Sequence, residues 1–192
     1  MTTRTDIPTD KQCISLLWKA GCKKRVVVHC ATVRAVAEEM AKGIKQADMK
    51  LVIAGALLHD IGRSETHTIM HACIGAQILE GYGVPADICE IVRKHTGAGL
   101  DADEAVELGL PPGDYMPKTI EEKIVAQADN MVSDNRVVPH GFSVDKLAAK
   151  GAQEGANRIE ALHRELSELY GEDLDTIVDK VGEYPHLKGV KP

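Results

Sequence analysis

The chain has 192 residues, 44% of them hydrophobic and 27% charged, which excludes a disordered polyelectrolyte and fits one domain around one core. A formal net charge of −6 weighs against broad affinity for nucleic acid, which depends on Lys and Arg neutralising phosphates, and leaves a small phosphorylated ligand as the expected partner. Aromatics at 3% leave Leu, Ile, Val, Ala and Met to fill the core, a composition of packed helices rather than of a β sandwich.

In chain order, Thr9 or Asp10 can cap a first short helix that ends before Gly21. A second runs from 25 to about 42, with Val26, Val33, Val36, Ala37 and Met40 at helical spacing and Gly43 as its stop. Asp48 can cap a third over 49–60, apolar almost all round and so expected to be buried, and 61–67 reads as a polar connection. Residues 68–80 read as a helix with Ile74 and Ile78 inward, closed by Gly81-Tyr82-Gly83; Pro85 opens the next, over about 86–95. The stretch 98–118 holds Pro111-Pro112-Gly113 and Pro117, reads as irregular, and is expected to overhang a site as a lid. Thr119 and Glu122 make a capping box for a helix through about 132, with Ile124, Val125, Ala128 and Met131 as its apolar face.

A loop at 134–142 leads to one long helix from 143 to about 170, which tolerates Gly151 and Gly155 at about 1 kcal/mol each relative to Ala. A last short helix spans 172–181. The expected architecture is all-α, a single domain over 1–192 of seven or eight helices, with a core over about 25–136 and the helices of 143–181 packed on it. The five cysteines form no C-x-x-C, the N-terminus has no apolar signal segment, and no run approaches the ~20 apolar residues of a membrane span. A cytoplasmic protein with reduced thiols is expected.

Six polar residues fall on apolar stripes. His29 lies three after Val26 and four before Val33, and His59 seven after Val52; Asp60 lies four after Ala56. His71 precedes Ile74 by three, His95 follows Ile91 by four, and Asp129 follows Val125 by four. A single histidine on such a face is ordinarily a hydrogen-bonded core residue. Two carboxylates are different, because an unpaired buried carboxylate is costly enough to recruit a cation, and no Lys or Arg shares these stripes. A divalent metal site satisfies all six, since imidazole and carboxylate suit iron, manganese, nickel or zinc; without a cysteine in the set, structural zinc is the weaker choice. Adjacent His59 and Asp60 put two ligands on one metal at a helix end, His29 and Asp129 complete that site, and His71 and His95 suit a second.

The series His29, His59-Asp60, Asp129, with HDIG spelled at 59–62, resembles the HD-domain superfamily of metal-dependent phosphohydrolases over about 25–136. HACIGAQILEGYGVP (71–85), IVRKHT (91–96) and AQADNM (126–131) are similar to its di-iron branch, bacterial enzymes that split diadenosine tetraphosphate symmetrically. The resemblance implies an all-α HD-domain bundle and one or two divalent transition metals per chain, iron first, with Mn, Ni, Co or Zn as alternatives. It implies His29, His59, Asp60 and Asp129 as ligands of a first metal, His71 and His95 as ligands of a second, and Asp60 as able to bridge. Many HDIG members continue with Lys where this chain has Arg63; a phosphate contact survives that change, a role as proton donor does not follow from it.

Such a site suits phosphoester hydrolysis by a metal-activated water. Asp60, Arg63 and His67 are the catalytic candidates, His67 because it stands four residues before His71. Arg63, Lys94, Asn130 and Arg136 are the candidate substrate contacts, with Arg34 as a further one. His140, His163 and His186 lie in a loop, a polar helix and the tail without partners and receive no role. The expected function is hydrolysis of a phosphoester or phosphoanhydride of a nucleotide or small phosphorylated metabolite. Two alternatives use the same residues: a mixed-valent di-iron oxygenase, and a nucleotide-binding regulatory module without turnover.

Overall fold

A computed structural model describes residues 7–190. Among them are ten α-helices: α1 (Asp10–Lys19), α2 (Lys24–Gly43), α3 (Met49–Leu58), α4 (His71–Gly81), α5 (Ala86–Lys94), α6 (Ala102–Glu107), α7 (Ile120–Asn130), α8 (Gly141–Ala148), α9 (Gln153–Tyr170) and α10 (Ile177–Val181). A 3-10 turn, Ile61–Ser64, follows α3, and a two-stranded antiparallel ladder, β1 (Val132–Ser133) with β2 (Arg136–Val137), follows α7. The fold is all-α.

Local chemistry sets the helix starts. Thr9 with Gln12, and Thr119 with Glu122, form reciprocal capping boxes for α1 and α7, and the Asp48 carboxylate accepts from the amides of Lys50 and Leu51 to open α3. The nearly all-apolar α3 sits in the middle: it packs on α2, α7, α1 and α5, while α4 pairs with α5 and α8 with α9. Met40, Leu57, Leu58, Ile124 and Met131 are fully buried around it, each contributing about 1.5–3 kcal/mol through removal from water. The same core continues through Ile159, Leu162 and Leu166 of α9 to Ile177 of α10. No helix among the described residues is long and apolar enough to cross a membrane.

Five expectations change. Helix α4 starts at His71, not 68, and its fully buried face is Ala72, Cys73, Ala76 and Leu79, leaving Ile74 and Ile78 half-buried, because it lies flat on both α5 and the 3-10 turn. The stretch 98–118 is not irregular throughout. Asp101 and Glu104 form a capping box that starts α6, and Ala105, Leu110 and Tyr115 pack on Cys73 in a small second core, so the segment is seated on α4 and lines no part of the cleft described below. The loop expected at 134–142 contains β2 and ends where α8 begins at Gly141, two residues before the helix start expected at 143; Asp134 and Asn135 are the two-residue connection between the paired strands.

The expected long helix is two. Gly151 takes φ +79, a left-handed conformation that no helix interior accommodates, and separates α8 from α9; Gly155 then lets the two approach, with Leu147 Cδ1 3.4 Å from where a Cβ would stand. His140 and His163 are not partnerless either. Their rings stack at 3.5 Å; His140 faces Asp175 and Glu160, and His163 faces Asp173, so they clasp the chain around α9 to the segment that follows it.

Candidate metal centre

Four of the six polar residues stand at helix ends rather than along helix faces. His59 is the C-cap of α3 and His95 the C-cap of α5, Asp60 precedes the 3-10 turn, and His71 is the first residue of α4. His29 and Asp129 lie within α2 and α7. The helix ends are used the same way three times: each Nδ1 faces the carbonyl three residues earlier, His59 to Ala56 at 2.8 Å, His71 to Thr68 at 2.7 Å and His95 to Val92 at 2.7 Å. For His59 and His95 that carbonyl is one of those a helix C-terminus leaves unsatisfied. His29 Nδ1 faces the carbonyl of Asp134 at 2.5 Å, which the positive φ of Asp134, +56, presents.

A carbonyl only accepts, so each Nδ1 carries a proton, and in the neutral imidazole each Nε2 is left with the lone pair, ready for a proton or a metal. Those lone pairs converge. His29 Nε2 and His59 Nε2 are 3.3 Å apart and face Asp129 Oδ1 at 3.0 and 3.5 Å; His71 Nε2 and His95 Nε2 are 3.1 Å apart and face Asp60 Oδ1 at 3.2 and 3.5 Å. Asp60 Oδ2 lies 3.8 Å from both His29 Nε2 and His59 Nε2, so this one carboxylate touches both halves of the cluster. Opposed lone pairs at such distances repel unless a cation lies between them. His29, His59 and Asp129 form one group whose ligand atoms lie within 4.8 Å of each other, and His59, Asp60 and His95 another: both could hold a metal ion.

The electrostatics agree. Burial by itself raises the carboxyl groups of Asp60 and Asp129, yet the imidazoles around them, His59 foremost, hold both well below the usual carboxylate range. Burial likewise opposes charge on His59, but Cys30, Asp60 and Asp129 outweigh it and lift the imidazole well above its ordinary value; the pocket demands positive charge at its centre. Asp60 Oδ1 is buried without a hydrogen bond, an orphan whose natural partner is a cation. The donor set of imidazole nitrogen and carboxylate oxygen therefore fits a divalent transition metal.

The glycine of the 59–62 motif makes the approach possible. A Cβ on Gly62 would stand 2.0 Å from the carbonyl oxygen of His71 and 2.6 Å from the amide nitrogen of Gly75, so the 3-10 turn lies directly on the first turn of α4 and delivers His71 to Asp60.

The cluster is reached from a cleft of about 810 Å³ lined by half-buried His29 and Asp129 and by buried Asp60, while His59, His71 and His95 lie behind them. Arg63 and His67 line the cleft; Arg63 Nε donates to Asp60 Oδ2 at 2.5 Å, and His67 is exposed. Asn130 lines it too, with its amide donating to the Gly97 carbonyl at 3.0 Å. Three expected substrate contacts are elsewhere. Lys94 is buried against Glu122 and Glu90, each at 3.1 Å; Arg136 pairs with Glu183; Arg34 pairs with Glu38 and Asp10. Lys24, Arg25, Ser143 and Lys146, which sequence reasoning passed over, line the cleft instead.

Comparison with known proteins places this geometry. The family described as HD domain matches residues 26–134, more than half of the chain. A tRNA (cytidine(56)-2'-O)-methyltransferase of Picrophilus torridus is 47% identical over 171 residues, 89% of this chain but 50% of that protein. The chain thus spans about half the length of such curated relatives, and a match of that extent necessarily includes residues 26–134. An uncharacterized protein of Methanocaldococcus jannaschii is 48% identical over 126 residues, 64% of this chain and 74% of that one. Among solved structures, the HD domain of the L. monocytogenes phosphodiesterase PgpH in complex with cyclic-di-AMP shares the fold, with a TM-score of 0.53 at 18% identity over 83% of this chain and 97% of that one. On its family match and its relatives, this chain belongs to the HD-domain family.

Proposed function

We propose that this chain is a metal-dependent phosphohydrolase that cleaves a phosphoester or phosphoanhydride of a nucleotide in the cytoplasm. In this reading His29, His59, Asp60 and Asp129 would hold one divalent ion, iron first among the candidates, and His71 and His95 a second, with Asp60 able to contribute to both. The observation that carries it is the convergence of four imidazole lone pairs and two carboxylates beside an open cleft. Divalent cations so held lower the pKa of a bound water toward ~7 and stabilise charge on phosphoryl oxygens.

The chain's own residues do the rest. Arg63 spends Nε on Asp60 and keeps its terminal N–H groups for a phosphate, while fixing the orientation of the carboxylate between the two halves. His67, exposed on the same cleft, is the candidate to protonate a leaving oxygen. Asn130 ties the end of α7, and with it Asp129, to the loop after His95. The P. torridus relative is named for action on tRNA, a polymer of nucleotides, which supports a nucleotide-bearing substrate. The five cysteines are free and buried, in keeping with a reducing compartment.

The test is turnover by full-length protein loaded in turn with Fe, Mn, Co and Ni, using p-nitrophenyl phosphate, bis(p-nitrophenyl) phosphate and nucleotides. Metal-dependent product release that is lost on chelation and in Asp129→Ala is expected. No turnover of any phosphoester by fully loaded protein overturns the proposal.

A further inference from the structure

Several arginines of this protein sit against a carboxylate, Arg34, Arg63, Arg93, Arg136 and Arg158 among them. Three cations gathered at the mouth of the cleft do not. Lys24, Arg25 and Lys146 line it, all three exposed, and among the described residues none of them has an acidic partner. Lys24 and Arg25 are also the first two residues of the 20-residue helix α2, whose N-cap, Lys23, supplies no side-chain bond; the positive end of that helix adds to their charge. Arg25 stands one turn before His29 on the same helix face, about 6 Å along the axis, so the unpaired charge begins one step outward from the metal centre.

An aromatic ring stands beside the other wall. Ser143 and Lys146 of α8 line the cleft, and Phe142 lies one turn from Lys146, about 40° round the helix, at the edge of the same face. It is the only phenylalanine in the chain and is 49% exposed, on a helix that buries no residue. Unpaired cations that follow a backbone, beside an exposed aromatic face, are the means by which proteins hold single-stranded nucleic acid without reading its sequence. The net charge of −6 keeps long polyanions off the remaining surface and confines such binding to a short strand end.

We infer that the substrate is a phosphodiester-linked single strand of two or more nucleotides, with the next phosphate beyond the metal centre held by Lys24, Arg25 and Lys146 and the neighbouring base stacked on Phe142. This deepens the hydrolase reading above and rests on it for which phosphate is cleaved. The selectivity comes from the second phosphate and second base, which a mononucleotide lacks.

Calorimetric titration of the full-length, Mn-loaded protein tests it, with a 5′-phosphorylated dinucleotide bridged by a phosphorothioate against the matching mononucleotide, each in ribose and deoxyribose form and at two salt concentrations. The dinucleotide is expected to bind at least about tenfold more tightly. Lys24→Gln, Arg25→Gln and Lys146→Gln together should lower that ratio and flatten its salt dependence, Phe142→Ala should lower it about fivefold, and all four together should bring it close to one. Because all four side chains are exposed, the variants should melt like the wild type. Equal binding of the two ligands by the wild type, or a ratio unchanged in the variants, overturns the inference. Turnover of bis(p-nitrophenyl) phosphate separates the two claims: turnover with a ratio of one leaves the hydrolase standing and removes the strand. A variant-sensitive ratio without any turnover does the reverse.

Discussion

Replacing Gly62 by Ala tests how the metal centre is assembled, because the added atom points away from the cleft. Its Cβ would meet the His71 carbonyl oxygen at 2.0 Å and the Gly75 amide at 2.6 Å, about 1.4 Å and 0.8 Å short of the 3.4 Å at which ordinary contact begins. Both obstacles are backbone of α4 and cannot rotate aside, so α4 or the 3-10 turn must move by about an ångström. Overpacking of this kind costs about 1–3 kcal/mol, and a backbone obstacle puts Gly62→Ala at the upper end. For a chain of this size about 3 kcal/mol lowers Tm by roughly 6–12 °C. The same movement pulls His71 Nε2 from Asp60 Oδ1, now 3.2 Å away, and should reduce the metal bound per chain. Gly81→Ala, at the other end of α4 with nothing within 4 Å, is the matched control and should be neutral or up to about 1 kcal/mol stabilising. Differential scanning calorimetry with elemental analysis of both variants is the assay. A Gly62→Ala protein with wild-type Tm and wild-type metal content refutes the packing argument.

Two further outcomes follow from the same structure. Lys94→Met should lower stability by up to about 3 kcal/mol, because it leaves the buried Glu122 carboxylate without a cation, held only by the amides of Lys118 and Thr119, and should leave the metal content of the folded protein unchanged; chemical denaturation and metal analysis check both. Burial raises the thiols of Cys13 and Cys22 to about 12 and that of Cys89 to about 11. In the unfolded chain these thiols ionise near their ordinary values, so stability should be constant up to about pH 8 and fall as pH rises from there toward 12; denaturation midpoints over that range, compared with Cys13→Ala and Cys22→Ala, check the sign.

The six polar residues were legible because burying a carboxylate is expensive and the helical spacing of their neighbours showed which way they faced. Their supports were legible only in part. The carbonyls of Ala56, Thr68 and Val92 stand three residues before their histidines and follow once the helix ends are known. The carbonyl held by His29 belongs to Asp134, 105 residues away, and no local pattern announces it. Helix α6 carried its signal, Asp101 with Glu104, but at six residues it was too short to show a stripe. Gly151 read as a tolerable helix glycine because the apolar spacing resumes in α9 beyond it, and only the positive φ shows the break. Lys94 sits beside His95 in sequence yet turns to Glu122, and Lys24, Arg25 and Lys146 look like any solvated charge until the fold gathers them at one cleft.

The central claim is that a single carboxylate, Asp60, joins two cation sites built from three helix-end histidines together with His29 and Asp129. Elemental analysis of freshly purified wild type and Asp60→Ala, with folding checked by circular dichroism, measures it most directly. The account predicts two divalent ions per wild-type chain and loss of both in the folded variant. A wild type that retains no metal, or an Asp60→Ala protein that keeps its full complement, contradicts it.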